Sequence, residues 1–151
     1  MALLFGKSLN IVGKNTRTIL ICSGKGGVGK TTLTANLGIA LANSGATTAV
    51  LDADFGLRNL DLLLGLENRI IYTAQDVLDQ NCRLDQALVR HKKEPNLALL
   101  PAGDPRMLDW MKPEDMKKIS ELLSENFDFV LVDCPAAVSY THLTLPTNRE
   151  V

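Results

Sequence analysis

Gly24-Lys25-Gly26-Gly27-Val28-Gly29-Lys30-Thr31 satisfies the pattern GxxxxGK[ST]. Glycines at this spacing let the backbone curl until successive N–H groups point inward, which suits the oxygens of a phosphate. A helix that starts at the end of the loop adds the positive end of its dipole. Lys30 is then placed to reach the β- and γ-phosphates of a nucleotide, and the Thr31 hydroxyl to ligate magnesium. Thr32 completes the nucleotide-binding set, which is Gly24, Lys25, Gly26, Gly27, Val28, Gly29, Lys30, Thr31 and Thr32.

Three carboxylates stand where such a site needs them. Asp52 and Asp54 follow the apolar run Thr48-Ala49-Val50-Leu51, and Asp133 follows Phe129-Val130-Leu131-Val132. In α/β sheets ligands bind outside the carboxyl ends of the strands, so all three can approach a bound phosphate. Two residues apart on a strand tip, Asp52 and Asp54 are not expected to do the same job. Asp133 at the end of an apolar strand is placed to hold magnesium, through water.

The elements that position these groups read as alternating strands and helices. Thr18-Ile19-Leu20-Ile21-Cys22, the runs at 48–51 and 129–132, and Leu97-Ala98-Leu99-Leu100 are short, continuous and apolar, as strands buried on both faces are. Residues 30–43 carry Leu33, Leu37, Ala40 and Leu41 at helical spacing, with Gly45 as a stop. Residues 74–78 and 84–89 read as two short helices. Pro113-Glu114-Asp115 opens another helix that runs to about residue 126, with proline and acids at the end that favours them. The fold class is α/β, a P-loop NTPase-type parallel sheet flanked by helices.

Composition excludes several other classes. With 46% hydrophobic and 22% charged residues the profile is globular. A net charge of −1 without a run of one sign advertises no DNA-wrapping surface, so no nucleic-acid partner is expected. No apolar run reaches the ~20 residues that cross a bilayer. The N-terminus lacks the charged and apolar regions of a signal peptide, so a cytoplasmic location is expected. Cys22, Cys82 and Cys134 are far apart along the chain and form no CxxC pair, which reads as reduced thiols.

The segment KGGVGKTT carries a second lysine, Lys25, directly after the first glycine. In this the chain resembles the MinD/ParA group of deviant Walker A ATPases. The stretches Gly56-Leu57-Arg58-Asn59-Leu60-Asp61-Leu62-Leu63-Leu64-Gly65-Leu66, Arg83-Leu84-Asp85-Gln86-Ala87-Leu88 and Leu99-Leu100-Pro101-Ala102 resemble the septum-site-determining branch of that group. The resemblance runs from Thr18 to Ala136. It implies an ATP-dependent homodimer in which Lys25 reaches across to the partner's phosphates. Catalytic roles fall to Lys25, Lys30 and Asp54, metal contacts to Thr31, Asp54 and Asp133, and switch roles to Asp52 and Asn59. The implied cofactors are ATP and Mg2+, and adenine specificity is implied by the family alone. The implied partners are a MinC-like septation inhibitor and a MinE-like activator. Peripheral binding at the inner face of the cell membrane is implied for the full-length protein. The alternatives are a flagellar-number or ParA-like DNA-partitioning ATPase of the same family, and an iron–sulfur scaffold ATPase, which would need paired cysteines.

Three segments follow from this reading: a loosely ordered N-terminal extension at 1–17, the N-terminal portion of the ATPase domain at 18–137, and a tail at 138–151 that is expected to be non-native. The tail continues no earlier pattern and resembles one reading frame of a sequencing-library transposon adapter. The group's usual Asp-x-Pro-Ala-Gly is here Asp133-Cys134-Pro135-Ala136-Ala137, and its missing glycine coincides with the expected junction. On that reading a C-terminal amphipathic helix and the base-recognition segment are absent, and the chain by itself is expected to be an impaired ATPase.

Overall fold

The computed structural model describes residues 2–9, 15–23, 29–53, 59–101, 103 and 112–134. They form one six-stranded sheet built from β1 (Ala2–Leu9), β2 (Asn15–Cys22), β3 (Thr48–Asp52), β4 (Val89–Arg90), β5 (Leu97–Leu100) and β6 (Phe129–Asp133). The spatial order is β1-β2-β6-β3-β5-β4. Strands β2, β6, β3 and β5 run parallel. β1 pairs antiparallel with β2 at one edge, and β4 with β5 at the other. The helices are α1 (Lys30–Asn43), α2 (Leu60–Leu64), α3 (Ala74–Leu78), α4 (Leu84–Ala87) and α5 (Pro113–Ser124), with a 3-10 turn at Glu67–Arg69.

The parallel α/β architecture agrees with the sequence reading, while three local features differ from it. β1 lies within the segment that, for want of an apolar period, read as a loosely ordered extension. Its ladder nevertheless runs from Ala2 opposite Cys22 to Leu9 opposite Asn15, because main-chain pairing along an edge needs no side-chain alternation. β2 accordingly begins at Asn15 rather than Thr18. The helix read at 84–89 stops at Ala87, and Val89 joins β4 instead. Leu88 is already extended at φ −68°, ψ 128°, and the β-branched Val89 pairs with Leu99.

Alternation along the central strands builds two cores, one on each face of the sheet. Leu20, Leu51, Val130 and Val132 face α5, where they meet Met116, Ile119 and Leu123. Ile19, Ile21, Val50 and Leu131 face α1 and α2. At the amino edge of the sheet, side chains tie the loops together. Asp128 accepts from the Thr47 backbone N–H and hydroxyl, both at 3.0 Å. The Thr16 hydroxyl lies 2.7 and 2.8 Å from the carbonyls of Ser124 and Phe127, its single proton shared between them.

α1 buries Lys30, Thr34, Ala35, Gly38 and Ala42. The leucines that signalled this helix, Leu33, Leu37 and Leu41, flank that stripe and are only partly buried, while Ala40 is exposed. Small residues at the contact let the helix axis lie close to the sheet. A Cβ added at Gly38 would stand 3.0 Å from Val50 Cγ2 and 3.2 Å from Leu97 Cδ1. Gly38→Leu therefore overpacks this interface. It is expected to lower the unfolding free energy by about 1–3 kcal/mol, read as a lower urea midpoint at unchanged m-value.

Candidate nucleotide-binding site

Three parallel strands end at one edge of the sheet, and their last residues make the site. Ile21 on β2 stands opposite Asp133 on β6, which stands opposite Asp52 on β3. Pairing continues past the strand ends, where Ala53 N–H donates to Asp133 O at 3.0 Å and Cys134 N–H to Ile21 O at 3.1 Å. By alternation Asp52 and Asp133 share the face of Val50 and Leu131, which is the face covered by α1. Both are buried, with 3% and 1% exposed.

α1 begins above these carboxylates. Gly29 forms its N-cap in the left-handed region at φ 83°, ψ 20°, a conformation glycine adopts without the Cβ penalty. The first turn carries no acidic residue, so the positive end of the helix dipole is left uncancelled for an anion. Lys30, the first residue of the helix, turns down to the sheet and its Nζ donates to Asp133 Oδ1 at 2.6 Å. Only 8% and 1% of the two side chains are exposed. Thr34 anchors the same turn, its hydroxyl donating to Lys30 O at 2.9 Å.

The residues named from sequence are thus brought together in part. Lys30, Asp133 and Asp52 converge beneath the start of α1. Thr31 is half-buried and Thr32 exposed in the first turn. Gly24, Lys25, Gly26, Gly27, Val28 and Asp54 lie outside the described residues. Asn59 is exposed and caps α2, more than a strand's length along the chain from Asp52. The described part fits a magnesium–nucleotide: a bare helix N-terminus for phosphate, an ammonium, and two carboxylates of which Asp133 lies at the centre.

A feature that sequence reasoning missed lies on the opposite face of the same strand ends. Cys22 closes β2 and Cys134 follows β6, and both pack in the apolar cluster under α5. The Cys22 thiol is held below its ordinary value, first because the Cys134 side chain hydrogen-bonds to it and then by the Lys30 charge, against burial and Asp133. Cys134 is pushed up by the same contact, by burial and by the neighbouring negative groups. The two cysteines were read as unrelated because they sit near opposite ends of the chain; only strand order makes them neighbours.

Comparison with known proteins places this geometry. The family model described as "ParA: NUBPL iron-transfer P-loop NTPase" matches residues 14–151. A MinD relative from Guillardia theta is 60% identical over 122 residues, covering 81% of this chain and 45% of the relative. The septum site-determining protein MinD of a Synechocystis species is 57% identical over 122 residues, covering 81% of this chain and 46% of that protein. The chain belongs to the MinD/ParA family of P-loop ATPases.

Solved MinD structures agree with the fold. The MinC:MinD cell division complex of Aquifex aeolicus superposes with a TM-score of 0.73 at 45% identity, over 85% of this chain and 52% of that one. The MinD of Pyrococcus horikoshii complexed with Mg-ADP gives 0.70 at 36% identity, over 82% and 51%. The chain spans about half the length of the relatives it matches.

Lys30 links the MinD/ParA phosphate loop to the sheet, so its loss should be felt before any nucleotide arrives. Lys30→Met leaves a buried carboxylate without its ammonium, and breaking a buried pair in this way costs about 3–5 kcal/mol. Asp133 keeps a further interaction, which puts the expected loss toward the lower end. Denaturant unfolding of the nucleotide-free chain reads it, and an unchanged midpoint would contradict the role of the pair.

Proposed function

We propose that this chain carries the phosphate-binding half of a MinD-type, ATP-driven dimeric switch that places the division septum. The observation that carries the reading is the buried Lys30–Asp133 pair directly beneath the N-terminus of α1, in a chain whose relatives at 57–60% identity are MinD proteins.

Lys30 is paired with Asp133 beneath the helix. A triphosphate would offer Lys30 a second anionic partner and leave Asp133 able to turn toward a cation. Mg2+, when bound, would supply charge that offsets that of the phosphates in γ-phosphoryl transfer. Thr31 and Asp133 are the residues that would hold that ion, with Asp54 orienting the attacking water and touching the metal shell. Asp52, beside Asp133 in register, senses the same change and passes it to the 54–59 segment that ends at Asn59. Lys25 acts in trans, lending its charge to the partner subunit's phosphates.

Dimerisation then supplies membrane affinity. One weak amphipathic helix binds a bilayer marginally, whereas two joined helices bind through avidity. The complete protein would cycle between the cytoplasm and the inner face of the cell membrane. A MinC-like inhibitor would ride on the ATP form, and a MinE-like activator would trigger release. The MinC:MinD complex of Aquifex aeolicus supports the first of these partners, and the Mg-ADP held by the Pyrococcus protein supports the nucleotide and ion. The description of the matched family model speaks of iron transfer, which is the second reading; the MinD relatives at 57–60% identity favour the first.

Nucleotide binding by residues 1–151 is the direct test, since turnover by this chain alone is expected to be impaired. At about 100 times Kd, Mg-ATP should add about 2.7 kcal/mol of stability, a Tm rise of roughly 5–10 °C for a chain of this length. Lys30→Ala should abolish the rise. Lys25→Ala should keep it and lose only the dimer that forms with ATP, read by light scattering. A chain whose Tm ignores Mg-ATP would refute the reading.

A further inference from the structure

We propose that Cys22 and Cys134 form a thiol–disulfide switch, a redox modification site that closes on the α5 face of the sheet and disables the nucleotide site on the α1 face. Its effect on nucleotide rests on the function proposed above, whereas formation of the bond does not.

Strand order carries the argument. β2 and β6 are parallel neighbours with Ile21 opposite Asp133, and the Cys134 N–H bonds to Ile21 O at 3.1 Å. One residue further on, Cys22 and Cys134 are therefore opposite each other. Both belong to the face of Leu20 and Val132 and pack in the same cluster. Neighbouring strands lie ~4.8 Å apart, inside the 4.4–6.8 Å separation of Cα atoms that a disulfide spans. Cys22 ends β2 and Cys134 directly follows β6.

The chemistry is balanced with a peroxide as oxidant. Cys22 is half-buried and Cys134 buried, so Cys22 is the thiol an oxidant meets. Its sulfur attacks one peroxide oxygen, the O–O bond breaks, and a sulfenic acid and one water result. Cys134 then displaces the hydroxyl as a second water while the S–S bond forms. Two thiols lose two protons and two electrons, and the peroxide is reduced to two waters. A dithiol reductant reverses the bond by exchange.

The consequence follows from position. The bond would lock the ends of β2 and β6 to one another through a Cβ–S–S–Cβ torsion of about 85–100°, where two separate thiols leave each strand end to settle independently. Asp133 immediately precedes Cys134, and Ser23 immediately follows Cys22 into the phosphate loop. The lock thus falls directly beside the carboxylate that holds Lys30 and beside the residue that leads into the glycine motif. The plain alternative is that the two thiols only fill apolar space.

The experiment uses the whole chain with Cys82→Ser, which removes the third thiol while leaving both strand cysteines. The protein is treated with hydrogen peroxide, remaining thiols are alkylated, and tryptic peptides are weighed. The expected product is one linked pair of peptides containing Cys22 and Cys134, two hydrogens lighter than their sum and separated again by dithiothreitol. Affinity for a fluorescent ADP analogue should fall at least tenfold on oxidation and return on reduction. Cys22→Ser and Cys134→Val should each abolish both the link and the oxidant sensitivity. Sulfinic acid at Cys22 without a link, or two alkylatable thiols after oxidation, would overturn the site. A linked protein with unchanged ADP affinity would overturn the switch. A reduced chain that binds no ADP would count against the proposed function while the peptide masses still decide the bond.

Discussion

An ammonium and a carboxylate that meet at 2.6 Å with 8% and 1% of their side chains exposed have each given up hydration worth several kcal/mol. Their attraction can offset that cost only where geometry is fixed in advance. Here it is fixed from two directions. Asp133 is held at the tip of β6, between β2 and β3, and its neighbours on both sides bond to the backbone around it. Lys30 is held at the start of a 14-residue helix that Gly38 allows to lie close to the same strands. Widen the gap between helix and sheet, and the pair would be buried without contact. The small-residue face of α1 and the buried charge are thus one constraint seen from two ends.

A second carboxylate makes this arrangement responsive. Asp52 lies beside Asp133 in register and is buried on the same face. On the function proposed above, a divalent cation would be drawn to the two acids while phosphate would draw the ammonium, so the site would favour arrival of the two as a complex.

Much of this was legible in the sequence, and the reasons are local. The loop motif, the helix after it and the apolar strands ending in aspartate are each written within about ten consecutive residues. Lys30 and Asp133 could therefore be named, and the structure brings them together. Asp52 was given only a switch role implied by the family, because its place beside Asp133 depends on β6 entering the sheet between β2 and β3. β1 was invisible for the same kind of reason: its pairing partner, not its own pattern, makes it a strand. The cysteines, judged by spacing along the chain, looked unrelated. Contacts set by strand order cannot be read from any single segment.

Parity along the strands explains why that order is held so firmly. Side chains at Ile21, Asp133 and Asp52 face α1, while those at Cys22, Cys134 and Ala53 face the apolar cluster under α5. A slip of β6 by one residue would exchange the two sets. Asp133 would then be driven into a cluster built from leucine, valine and isoleucine, and a thiol would face Lys30. The charge could not be solvated there, and Lys30 would be left buried beside Asp52 alone. Most registers of an apolar parallel sheet differ modestly in energy, since both faces are greasy and one valine replaces another. A charge at the strand tip removes that degeneracy. The residues that do the chemistry are, on this account, also the residues that specify the sheet.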